Sequence, residues 1–262
     1  MKLSKNDKVK RSSIRIFLLF VCTLALGACG PKIDFGLGWD VSPPEGDFTN
    51  PSEMRVSLSL DKTTRPDGTV NQRITVWCEE SSRRSYMVIR GGGVSVNGKT
   101  MSSQVAGLGF GPIAGYYLIE DLSIVPNKLY KFIFTLSDQS TYETTIRVQD
   151  LKVFNLPESH NPNNDLAISW QEVNPQYPLT LSMYTTTASG LQTRLQLPDS
   201  CLSSGRCTIP SSFFSSGFHS RGIDEVSTSL TSIKSGKLGG FGPNSEFTSA
   251  FVIKKTLKLD HR

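Results

Sequence analysis

The sequence predicts an all-β protein: two tandem antiparallel β-sandwich domains, at 53–150 and 151–259, behind a leader (1–28) and a Gly/Pro-rich tether (29–52). Three observations carry this. Short apolar segments alternate with polar residues at period two, the pattern of strands buried on one face. Turn-forming residues interrupt them at short intervals, Asn97-Gly98 most clearly. No long stretch repeats its apolar residues every 3.6 positions, which argues against a helical bundle. Without the 28 leader residues, 234 of the 262 remain, enough for two domains of roughly 100 residues each.

The leader begins with Lys2, Lys5, Lys8, Lys10, Arg11 and Arg15 against a single Asp7, and continues as an apolar run from Ile16 to Leu26. That run is shorter than the roughly 20 residues a spanning helix needs, as expected of a cleaved targeting segment. It ends at Leu26-Gly27-Ala28-Cys29, which resembles the lipobox of bacterial lipoprotein precursors. The resemblance implies cleavage before Cys29, acyl chains on its sulfur and amino group, and anchoring in a cell-envelope membrane; more than one chain makes such anchoring stable. Gly30 stands where Asp would mark inner-membrane retention in the enterobacterial pattern, so the outer membrane is favoured if the host has one. A plain secretory leader is the alternative.

The chain carries 28 Lys+Arg and 23 Asp+Glu, a net charge of +5. Six of those basic residues and one acidic residue belong to the leader, leaving 22 against 22. The basicity is therefore a targeting feature, and no nucleic-acid partner is expected.

From Gly30 to Ser52, Gly and Pro dominate, as in a spacer. Phe35, Leu37 and Trp39 nevertheless alternate, as a docked strand, a membrane-interface anchor or a partner-binding segment would. In the first domain, Met54 to Leu60 and Gln72 to Cys78 read as half-buried strands joined through Arg65-Pro-Asp-Gly68. Tyr86 to Arg90 and Val94 to Val96 follow, and Asn97-Gly98 suits a type I′ turn, in which both central residues take positive φ. Tyr116 to Ile119 and Tyr142 to Val148 supply further strands.

Between them, Pro126 lies four residues before Tyr130, and Tyr130, Phe132 and Phe134 alternate. This resembles the approach to strand F in fibronectin type III and related immunoglobulin-like sandwiches. The resemblance implies that Tyr130 is a corner tyrosine, its ring in the core and its hydroxyl bonded to upstream backbone. In the second domain, Leu166 to Gln171 resembles the second strand of a fibronectin type III module, with Trp170 in the core. Leu179 to Thr185, Leu191 to Leu197, Val226 to Ile233 and Phe247 to Leu257 also alternate. The layout is similar to bacterial lipoproteins with tandem immunoglobulin-like domains.

Beyond Cys22 and Cys29, three cysteines remain. Cys201 and Cys207 enclose a Ser/Gly-rich turn and are expected to form a disulfide, worth roughly 2–3 kcal/mol in the chain-entropy model. Cys78 is expected to be a buried free thiol. Gly109 to Ala114 matches Gly-x-Gly-x-x-Ala, but a strand follows it where nucleotide binding needs a helix. His160, His219 and His261 have no metal-binding spacing, and no nucleophile elbow occurs. No catalytic residue, metal or cofactor is therefore assigned. Asp121, Asp138, Asp224 and Glu225 read as turn residues.

Gly-Phe-Gly-Pro occurs at 109–112 and 240–243. Loops on a rigid scaffold are where such folds place recognition. Phe110 and Phe241, in loops 107–115 and 236–245, and Tyr116, which follows the first of them, are thus the candidate binding residues. The expected role is non-catalytic, structural or protein-interacting, in a lipid-anchored envelope protein. A surface adhesin or carbohydrate-binding module is the alternative, and a hydrolase with a dispersed carboxylate pair is the third.

Overall fold

The computed structural model describes residues 42–80, 85–107, 114–149, 153–171, 179–184, 204–217 and 225–260. Ser42–Arg262 forms one compact unit. The fold is all-β, with sandwiched sheets, as the alternation predicts. The described strands are β1 (Glu45–Gly46), β2 (Met54–Thr64), β3 (Val70–Glu80), β4 (Tyr86–Ile89), β5 (Gly93–Val96), β6 (Lys99–Thr100), β7 (Ser102–Ala106), β8 (Ala114–Ile119) and β9 (Leu129–Thr135). There follow β10 (Thr141–Arg147), β11 (Val153–Asn155), β12 (Ser159–His160), β13 (Leu166–Gln171), β14 (Leu179–Tyr184), β15 (Arg206–Ile209), a short helix α1 (Ser211–Gly217), β16 (Glu225–Lys237) and β17 (Glu246–Leu259). The strand expected at Leu191 to Leu197 lies outside the described residues.

A ten-stranded sheet runs β1-β4-β3-β2-β17-β16-β14, with β8 also pairing β3, β7 pairing β8 and β12 pairing β17. A four-stranded sheet (β10-β9-β5-β6) and a three-stranded sheet (β11-β13-β15) complete the layers. Most pairings are antiparallel; β1 with β4, β12 with β17 and β17 with β2 are parallel. The β17–β2 pairing joins Glu246–Ile253 to Ser57–Thr64, so one sheet is continuous across the division expected near residue 150. Periodicity within a strand cannot reveal such a pairing, because a parallel neighbour arrives by a long crossover.

Burial follows the period-two pattern. On β2, Met54, Val56, Leu58 and Leu60 point inward and are fully buried, while Arg55, Ser57 and Ser59 alternate with them on the outer face. Inward residues of all three sheets form one hydrophobic core, including Phe132 and Phe134 from β9 and Ile168 and Trp170 from β13. Tyr130 is wholly buried, and its hydroxyl donates to the Ser123 carbonyl (2.9 Å) and accepts from the Val125 amide (2.6 Å). Its role as corner tyrosine is thereby met. Asn97 and Gly98 have φ of 50° and 80°, the left-handed pair that a type I′ turn needs. Trp170 is buried opposite Phe154, its indole Nε1 without a hydrogen-bond partner among the described residues.

The last part of the stretch read as tether is folded. The Val88 amide donates to the Pro44 carbonyl and the Arg90 amide to the Gly46 carbonyl, both at 2.9 Å, and the Phe48 ring is buried. Gly115 makes room for this segment, since a Cβ there would stand 3.1 Å from the Pro44 oxygen. Phe35, Leu37 and Trp39 lie outside the described residues.

Candidate binding face

Trp77, Tyr86 and Tyr116 meet on the outer face of the large sheet. Each is out of phase with the buried residues of its strand: Trp77 between Val76 and Cys78, Tyr116 beside Tyr117, Tyr86 ahead of Met87. The strand pairing brings them together, because β3 pairs with β8 at Ile74–Val76 and with β4 at Cys78–Glu79, so Trp77 sits where the partner changes. Trp77 and Tyr116 stack at 4.5 Å with 21° between planes, and Tyr86 meets Trp77 edge-on at 5.2 Å. Such offset and edge contacts contribute about 0.5–1.5 kcal/mol each beyond area burial. Tyr86 is 38% exposed, an unusual position for a large ring.

Beside the rings, Arg55 Nη1 pairs with Glu79 Oε2 at 3.0 Å, and Arg55 Nε donates to the Asn244 carbonyl at 3.4 Å. Glu79 is buried and Arg55 partly exposed, so the ion pair has its anionic end in the sheet. Desolvation, then the Glu79 charge, raises the Tyr86 phenol above its ordinary value. Further along the face, burial raises the Asp61 carboxyl, opposed by the Ser59 hydroxyl and by Arg73. Trp77 directly faces Ser57 on β2, and Ser59 faces Thr248 on β17. Small hydroxyl side chains thus border the aromatic group.

The three candidate binding residues have different fates. Tyr116 lies on β8, as its strand reading expected, and on this face. Phe110 lies outside the described residues. Phe241 is buried, edge-on to Phe134 at 4.8 Å and to Tyr142 at 4.7 Å, so it is not displayed. Its loop is held by residues of the first predicted domain and the segment just before it. The Gly242 amide donates to Met54 O (2.7 Å) and Pro51 O (3.1 Å), the Val56 amide to Ser245 Oγ (2.9 Å), and the Tyr142 hydroxyl to Gly239 O (2.9 Å). A Cβ at Gly242 would stand 2.8 Å from both the Met54 and Ser52 oxygens, which is why glycine is needed there. Trp77 and Tyr86 were not singled out from sequence as binding residues, yet their phase against buried neighbours marks them as outward.

Cys29 and Cys201 lie outside the described residues. Cys207 is buried on β15. Cys78 is a buried free thiol, pushed up to about 12 by burial. Asp138 accepts from the Ser140 amide and hydroxyl within its turn, as expected, which lowers its pKa. Asp121 is lowered by Lys99, with which it pairs, and Glu225, read as a turn residue, instead opens β16. Glu45 and Asp47 flank Arg90 at 3.6 and 3.7 Å, and all three side chains are more than half exposed. Among the described residues, no three His, Cys, Asp or Glu side chains gather as a metal site would require.

No protein family matches this sequence, and no curated protein matches it. Among solved structures, the chain is similar to murine CEACAM1b (8% identity, 79% of this chain and 99% of that one, TM-score 0.23). It is also similar to the tandem Ig repeats of Dlar (12% identity, 78% and 98% covered, TM-score 0.23) and to IG1+IG2 of DIP-gamma (9% identity, 79% and 99% covered, TM-score 0.18). At these scores the likenesses carry no weight for the site.

Proposed function

We propose that this is a lipid-anchored cell-envelope protein with a non-catalytic interaction role, which offers the outer face of its large sheet to a partner. The observation that carries the interaction role is the group Trp77, Tyr86 and Tyr116, part-exposed on a rigid sheet beside Arg55. Trp, Tyr and Arg are the residues in which binding energy concentrates, and rings already held by mutual contact lose little entropy on binding. The anchor rests on Leu26-Gly27-Ala28-Cys29, with acyl chains on Cys29 and the outer membrane as destination in a host with two membranes. A Cys201–Cys207 disulfide belongs to the same proposal, since the envelope outside the inner membrane permits it.

In-cell crosslinking of the intact protein, beside Cys29→Ser and Tyr86→Ala variants, tests both parts. The expected result is a discrete partner that both variants reduce, with acyl labelling lost in Cys29→Ser. Unchanged labelling in Cys29→Ser would remove the anchor, and an unchanged partner in Tyr86→Ala would remove the face. An adhesin or glycan-binding role is the second reading, favoured by the same three rings.

A further inference from the structure

We infer that the aromatic group and the hydroxyl strip beside it form a binding site for an uncharged oligosaccharide. The inference rests on the interaction role proposed above and names the chemistry of its ligand. Three properties of the face point the same way.

The first is shape. Trp77 faces Ser57 across the β2–β3 ladder, and Ser59 faces Thr75 on one side and Thr248 on the other. Side chains on adjacent strands stand about 5 Å apart, so a tall aromatic wall drops directly to a floor of serine and threonine. Thr75 is buried, so the accessible floor is Ser57, Ser59 and Thr248, each partly exposed beside the partly exposed rings.

The second is chemistry. An aromatic face carries negative charge density and attracts polarised C–H groups, which a sugar ring presents in quantity on one side. The same sugar carries hydroxyls at its rim that need donors and acceptors; Ser57 and Thr248 carry both on short side chains, and Ser59, whose hydroxyl donates to Asp61 Oδ2 (3.1 Å), adds acceptor lone pairs. Short side chains also have little rotamer entropy to lose. A protein partner's binding centre is a continuous apolar patch with a polar rim. Here polar hydroxyls directly abut the rings.

The third is charge. Arg55 is neutralised by Glu79, Arg73 faces Asp61, and Lys237 stands opposite Glu246 in the β16–β17 register. An anionic or cationic ligand is drawn by a field of one sign. Among the described residues, these opposite charges sit side by side, so neither sign dominates the face.

The test is calorimetric titration of the full-length acylated protein, in a detergent without a sugar headgroup, with cellotetraose, maltotetraose and chitotetraose. At least one should bind saturably at one site. Trp77→Ala should weaken it tenfold or more and Trp77→Phe by less, while Ser57→Tyr, which fills the floor and leaves the rings, should weaken it similarly. Tyr86→Ala, at an exposed ring, provides the same test should Trp77→Ala fail to fold. No saturable binding by any of the three sugars overturns the inference, as does undiminished binding in Trp77→Ala or Tyr86→Ala together with Ser57→Tyr. A photocrosslinker at position 86 separates the two levels: a discrete protein adduct without sugar binding sinks the glycan and keeps the interaction role, and neither adduct nor sugar binding sinks both.

Discussion

The hairpin tip at Asn97-Gly98 and the tip at 238–245 both join antiparallel strands through glycine-containing turns, yet they do opposite things. The first is exposed and locally determined: Asn97 and Gly98 adopt left-handed backbone, and the contacts to β9 that fix the turn, Asn97 N–H to Lys131 O and Lys131 N–H to Asn97 Oδ1, come from the adjacent strand. The second reaches nearly 190 residues back along the chain to Arg55 and Val56 and buries Phe241 against Phe134 and Tyr142. A glycine- and aromatic-rich loop is therefore not by its composition a displayed one. Whether it binds an outside ligand or its own chain depends on what the fold brings beside it.

That contrast can be broken by mutation. Phe241→Ala should have the largest effect, about 3–5 kcal/mol for a buried ring, or on the order of 10 °C in Tm by thermal unfolding. An effect below 1 kcal/mol would return Phe241 to the surface. Gly242→Ala should follow at about 1–3 kcal/mol in urea titration, since its Cβ would press on the Met54 and Ser52 carbonyls and break the Gly242 amide bonds. Tyr142→Phe, which deletes only the bond to Gly239 O, should cost about 1 kcal/mol. Asn97→Ala should cost about 1 kcal/mol, from the lost Oδ1 bond to the Lys131 amide and from alanine's poorer tolerance of left-handed backbone, with no effect on the 238–245 loop by hydrogen exchange.

A separate effect concerns pH. Burial raises the folded Asp61 carboxyl above its ordinary value of 3.8, so the folded state holds that proton more tightly than the unfolded chain does. The stabilisation is fully present below about 3.8 and is lost as pH rises through the folded value. Asp61→Asn should therefore be more stable than the parent at neutral pH, and the gap should close towards pH 3.8. A gap that widened on acidification would reverse the sign of the argument.

Local chemistry was legible. The alternation of Met54 to Leu60 placed its apolar residues in the core, Asn97-Gly98 made its turn, Tyr130 found its upstream carbonyl, and Cys78 is a buried thiol. What escaped was non-local. Residues 44–48 look like a spacer because Pro and Gly lack side-chain pattern, yet their backbone groups pair with Val88 and Arg90. The parallel union of β17 with β2 depends on a crossover of nearly two hundred residues, with no periodic trace. Helix α1 was not anticipated, its Ser-Ser-Phe-Phe-Ser-Ser-Gly being too short to show a helical repeat. The binding face was half legible: the phase of Trp77 sets it outward, but only the change of partner along β3 brings Tyr86 and Tyr116 to it.

The most direct measurement compares two exposed positions of the same protein in cells, one photocrosslinker at Tyr86 and one at Val70, on the tip of the β2–β3 hairpin away from the rings. A discrete adduct from position 86 and none from position 70 is the expected result. Identical patterns from both positions would contradict an interaction role for the aromatic face.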